Sequence, residues 1–114
     1  MTQNRNKLIA LLIGNLANAL VHQILEEVLG QEIHRKHYHK ESENSFTLAK
    51  QYRESLNPLE KPLPEKDQLE IKERIIAKIK NELKLRIDKG YQGIDLNKVE
   101  PLVEKALQEL KVIT

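Results

Sequence analysis

The sequence has no cysteine and no tryptophan, one phenylalanine, one methionine and four glycines. Without cysteine there is no disulfide, no thiolate metal site and no thiol nucleophile, a usage that suits a cytoplasmic protein. Aromatic residues make up only 4%, so the core must be built from Leu, Ile, Val and Ala. An aliphatic core of this kind favours helices packed side by side over a sheet, where β-branched and aromatic residues concentrate. No period-2 pattern runs for more than a few residues, and no internal repeat is present. Glycine-rich phosphate loops and dinucleotide fingerprints are absent. So are the His-Glu-x2-His motif of zinc proteases and the Glu-x2-His pair of di-iron bundles. No Ser or Thr occurs between residues 3 and 41, which leaves that stretch without a Ser or Thr nucleophile.

What is present is charge and aliphatic bulk. Charged residues make up 32% and apolar residues 39% of 114 residues, with a net charge of +2. These values describe one globular domain over 1–114 with a small core. Basic and acidic residues are interleaved, so no segment reads as a phosphate-binding face and nucleic acid is not an expected partner. The helical segment with Lys72, Arg74, Lys78, Lys80, Lys84, Arg86 and Lys89 is diluted by Glu70, Glu73, Glu82 and Asp88. It reads as a solvated face, and a nucleic-acid-binding regulator stands only as a second alternative function.

The chain is organised around Leu8–Leu29, a nearly continuous apolar stretch. At 100° per residue its aliphatic side chains cover about half the helix circumference, wider than the stripe of a surface helix. Burial on two sides is implied, inside a bundle or across a dimer. Gly14, Asn15, Asn18, His22 and Gln23 interrupt the run, which argues against a membrane span or a signal peptide. One edge carries Ala10, Gly14, Ala17, Asn18 and Val21, small enough for another backbone to approach. That edge is the expected interface of a homodimer. A polar seam of Asn15, Asn18, His22 and Glu26 is read as a water-facing edge or as amides that fix the register of a helix interface.

The pattern predicts an all-α fold, a small bundle of three to five helices at 5–29, 31–41, 46–56, 65–89 and 97–111. Residues 1–56 supply the N-terminal helices, 57–64 a stiff proline-rich connector, and 65–114 a C-terminal antiparallel helical hairpin. Ser42-Glu43-Asn44-Ser45 is loop-like and offers N-caps, so a break is expected near 42–45. If the stretch is instead one helix, His34, Tyr38, Glu41, Ser45, Leu48 and Tyr52 recur along one face. Gly90 is a good helix stop, and Asp95 or Asn97 caps the last helix.

Histidine is the remaining chemical signal. His34, His37 and Glu41 share a helix face, and His22 could join them if the first two helices pack antiparallel. Such nitrogen and oxygen donors suit a divalent metal, which would make a small metal-dependent hydrolase the alternative function. The plainer reading is a solvated, weakly basic surface, with no cofactor. The preferred reading is a self-associating interaction or scaffold protein, a non-enzyme with a possible further protein partner. No catalytic residue is assigned.

Overall fold

The structure, a computed structural model, describes residues 4–28, 32–58 and 61–113, with side chains from Lys36 onward in the second segment. Four helices form: α1 (Arg5–Val28), α2 (Glu32–Leu56), α3 (Glu65–Asp88) and α4 (Val99–Glu109). A short 3-10 turn, Leu96–Lys98, leads into α4. No strand occurs among the described residues. The architecture is the expected all-α bundle with α1 at its centre.

Cross-links between helices fix their directions. Arg5 in the first turn of α1 pairs with Asp67 in the first turn of α3, so these two helices run parallel. Asn18 reaches Ser45 and Glu26 reaches His39, so numbers rise on α1 as they fall on α2. Lys72–Glu104 at 3.8 Å and Lys80–Glu100 at 3.4 Å set α4 antiparallel to α3. The chain therefore runs up, down, up and down, with α1 between α2 and α3.

This arrangement answers the width of the apolar arc. Eleven residues of α1, from Leu8 to Leu25, are buried, and Leu12, Leu16 and Leu25 are fully enclosed. Each large aliphatic side chain taken out of water contributes about 2 kcal/mol. The covering comes from within the chain, since α2, α3 and α4 close over α1 in one apolar cluster. Among the described residues α1 is the one helix long and apolar enough to cross a membrane, and 61% of that window is buried inside the bundle.

The expected break near 42–45 does not occur. Ser42 and Ser45 sit inside a continuous α2, where their hydroxyls serve the neighbouring helix. Ser42 Oγ donates to the Ala19 carbonyl at 2.8 Å, and Ser45 Oγ accepts from Asn18 Nδ2 at 2.7 Å. Small side chains at Ser42, Ser45 and Ala49 let α2 lie close against Ala19 of α1. The inward stripe is Tyr38, Ser42, Ser45, Ala49, Arg53 and Leu56, whereas Leu48 of the single-helix reading is turned out, 42% exposed. Leu29 and Gly30, at the expected end of the first helix, lie outside the described residues.

Later boundaries follow the residues predicted to set them. Glu65 and Asp67 place carboxylates at the positive end of α3. At its other end Gly90, with φ +101°, donates to the Ile87 carbonyl while Tyr91 N–H reaches Arg86, which closes a Schellman turn. Asp95 Oδ1 accepts from Asn97 N–H at 2.9 Å to open the 3-10 turn. The connector is less extended than its prolines suggest, because Lys61 N–H donates back to the Pro58 carbonyl at 3.0 Å.

One buried cation closes the lower end of the bundle. Arg53, fully buried, pairs with no carboxylate among the described residues. Its Nη1 donates to the Asn57 carbonyl at 3.2 Å and Oδ1 at 2.6 Å; Nη2 donates to the carbonyls of Lys61 at 2.9 Å and Lys111 at 2.8 Å. Two of these carbonyls follow the C-termini of α2 and α4, where helix dipoles place negative potential. Burial lowers the Arg53 pKa from its ordinary value, yet guanidinium stays charged in proteins. Lys111 takes a left-handed conformation, φ 57°, in a second Schellman turn with Val112 N–H on the Leu107 carbonyl at 2.9 Å. That conformation costs a non-glycine residue about 1 kcal/mol, and it lies at the residue whose carbonyl Arg53 holds.

Arg53→Ala is expected to lower stability by about 3 kcal/mol, because it strands buried carbonyls on three segments. Lys111→Gly is expected to raise stability by about 1 kcal/mol by removing the left-handed penalty. Urea denaturation followed by circular dichroism reads both. No loss of stability on Arg53→Ala would refute the clamp.

Candidate functional site

The polar seam of α1 meets α2 along its length. Asn15 Nδ2 donates to the Leu11 carbonyl at 2.8 Å, and Asn18 holds Ser45. His22 Nδ1 lies 2.8 Å from the Asn18 carbonyl, so that nitrogen carries the proton. Its ring sits 5.4 Å from the ring of Tyr38. The Asn18–Ser45 bond and the His22–Tyr38 contact join α1 to α2, while Asn15 bonds only its own helix.

At the upper end of that pair stands His39. Its Nδ1 is 3.1 Å from Glu26 on α1, and its Nε2 is 2.8 Å from Glu43 one turn along α2. Two carboxylates on two ring nitrogens favour imidazolium. The hydrogen bond and charge of Glu26 lead in raising the His39 pKa above 6.5, followed by the charge of Glu43. Sequence spacing had set His39 apart from the other histidines; its i, i+4 relation to Glu43 was the available signal.

The candidate metal ligands are only partly placed. His37 meets Tyr38 edge-on at 5.6 Å, so Tyr38 brings His37 and His22 to its two sides. Glu41 is half-buried on the same helix. The side chain of His34 lies outside the described residues. Among the described residues no three His, Asp or Glu side chains group as a metal site.

Three open features occur among the described residues; one, of about 330 Å³, lies over Glu65, Gln68, Leu69, Lys72 and Ile113, and the other two lie where α1 meets later helices. The first of these two is the small-residue edge. Gly14, Ala17, Asn18 and Val21 line a groove of about 170 Å³, walled across by Lys78, Glu82 and Arg86 of α3. Ala17 and Val21 are buried there, while Ala10, one turn before Gly14, is exposed. A Cβ on Gly14 would meet nothing within 4 Å. Leu85 continues the Lys78/Glu82 row of α3 by one turn and is 56% exposed.

The second is a larger cleft of about 540 Å³ at the upper end. The last turn of α1 (Ile24, Glu27, Val28) forms one wall and the start of α4 (Lys98, Pro101, Leu102, Lys105) the other, with Gly93 and Asp95 between. Gly93 carries φ +85°, and its Cα side lies against Val28, where a Cβ would sit 3.5 Å from Cγ1. Sequence reasoning drew no site here, because the cleft depends on how α4 meets the end of α1.

The α3 surface is laced with i, i+4 pairs as its sequence predicts, Arg74–Glu70 at 3.4 Å and Arg86–Glu82 at 3.1 Å. Compared with protein-family models, with curated proteins and with solved structures, the chain matches none. The chemistry therefore rests on the side chains themselves.

His39 is expected to titrate above its ordinary 6.5, and Glu26→Gln to bring it back down, as read by NMR of the ring protons. Because the folded value is the higher one, its stabilising contribution is complete below about pH 6.5. That contribution fades as pH rises through the raised value. A His39 titration unchanged in Glu26→Gln would refute the clasp.

Proposed function

We propose that this protein acts by association, as a helical interaction module that pairs with a second copy across the α1/α3 groove. The observation that carries this reading is a knob and a hole on one face. Leu85 projects from the same row of α3 that walls the empty space over Gly14. A two-fold contact places the Leu85 of each copy in the groove of the other, the isologous arrangement that closed dimers require. The groove has room for one aliphatic side chain. Lys78 and Glu82 flank it with opposite charges, so a two-fold partner sets unlike charges facing. The edge of Ala10, Gly14, Ala17, Asn18 and Val21 then serves an outside partner as well as the bundle. Asn18 and Glu26 of α1 are engaged in holding α2, and Asn15 and His22 bond carbonyls of their own helix, which supports an interaction role over catalysis.

Sedimentation equilibrium at high micromolar concentration tests this directly. The wild type is expected to dimerise, and Gly14→Leu and Leu85→Lys are each expected to abolish the dimer. Both should keep the helical signal, because position 14 opens on empty space. Gly14→Ala should in addition raise stability by about 1 kcal/mol, the cost of glycine within a helix. A wild type that stays monomeric throughout would sink the proposal.

A further inference from the structure

The cleft at the upper end of the bundle has an asymmetry of charge that the rest of α4 explains. Glu100 and Glu104 are turned to α3, where Lys80 and Lys72 pair with them. The other side of α4 carries Lys98, Leu102 and Lys105 at i, i+4 and i+7, and this is the side that lines the cleft. Neither lysine has an ion pair among the described residues. Between them Leu102 is half-buried, and it continues with Pro101 into an apolar floor shared with Ile24 and Val28. The positive end of the α4 dipole lies at the same mouth. On the α1 wall Glu27 is the one unpaired carboxylate, since Asp95 accepts the Asn97 N–H. A volume of about 540 Å³ falls within the range of small-molecule sites, which are mostly apolar with a few placed polar groups.

We infer that this cleft binds an amphipathic monocarboxylate, an acyl chain with a single anionic head. The head lies between Lys98 and Lys105 at the start of α4. The chain runs over Leu102 and Pro101 onto Ile24 and Val28. Glu27, on the far wall, repels a second negative charge and so selects a monoanion over a dianionic phosphate or a dicarboxylate. The site is separate from the α1/α3 groove, so occupancy does not depend on the dimer.

NMR titration of the full chain with decanoate, kept below its micelle concentration, tests the inference. Saturable one-to-one binding is expected, with shifts centred on residues 24–28 and 93–105. The double variant Lys98→Gln/Lys105→Gln should bind about tenfold more weakly, as two exposed charge contacts are lost. Both lysines are exposed, so its spectrum should otherwise match the wild type. Decanedioate and decyl phosphate should bind more weakly than decanoate, and Glu27→Gln should narrow that gap. Decyltrimethylammonium binding as tightly as decanoate would overturn the inference. So would an unchanged affinity in the double lysine variant, or shifts centred elsewhere.

Discussion

A helix whose apolar arc spans half its circumference cannot be hidden by a single neighbour, and the bundle is built around that constraint on α1. Each flank of α1 takes a different solution. Towards α2 the contact is close and partly polar, made by Ala19, Ser42, Ser45 and Ala49 with hydrogen bonds between side chains and backbone. Towards α3 the contact is aliphatic, through Ile71, Ile75, Ile79 and Leu83, four residues at a strict spacing of four. A row at spacing four drifts around its helix, so part of the α1/α3 seam opens as the groove over Gly14. The tighter polar flank sets the register, and the aliphatic flank supplies burial.

Side chains with catalytic potential are largely engaged in that register. Asn18, His22 and Glu26 each meet α2 or the backbone of their own helix. The described surface also carries exposed aliphatic side chains and two lysines, Lys98 and Lys105, without an ion pair among the described residues. Leu69, Leu85 and Ile87 all project from α3.

Much of the architecture was legible from residue order because periodicity, capping and glycine placement are local signals. The extents of α1 and α3, the Gly90 stop and the Asp95 cap all follow from neighbours within a turn. The continuity of α2 was not legible for the opposite reason. Serine favours a helix start when its hydroxyl seeks a local N–H, but Ser42 and Ser45 find their partners on α1, 23 and 27 residues away in sequence. Arg53 was equally hidden, since its hydrogen bonds lie 4, 8 and 58 residues distant. The small-residue edge of α1 was visible, but the wall opposite it could not be read before α3 was placed. Of the histidines, the sequence grouped His34 and His37 with Glu41, while the strongest ionic contacts belong to His39, whose partner Glu26 is on another helix.

The two ends of α2 are fastened by cations of different kinds. At one end Arg53 holds carbonyls and carries a charge that does not vary over any physiological pH. About 21 Å along the same helix, His39 holds carboxylates with a charge that does vary. Raising the pH thus weakens the His39 contact and leaves the Arg53 contact unchanged, so the two ties that hold α2 answer differently to the same change of medium.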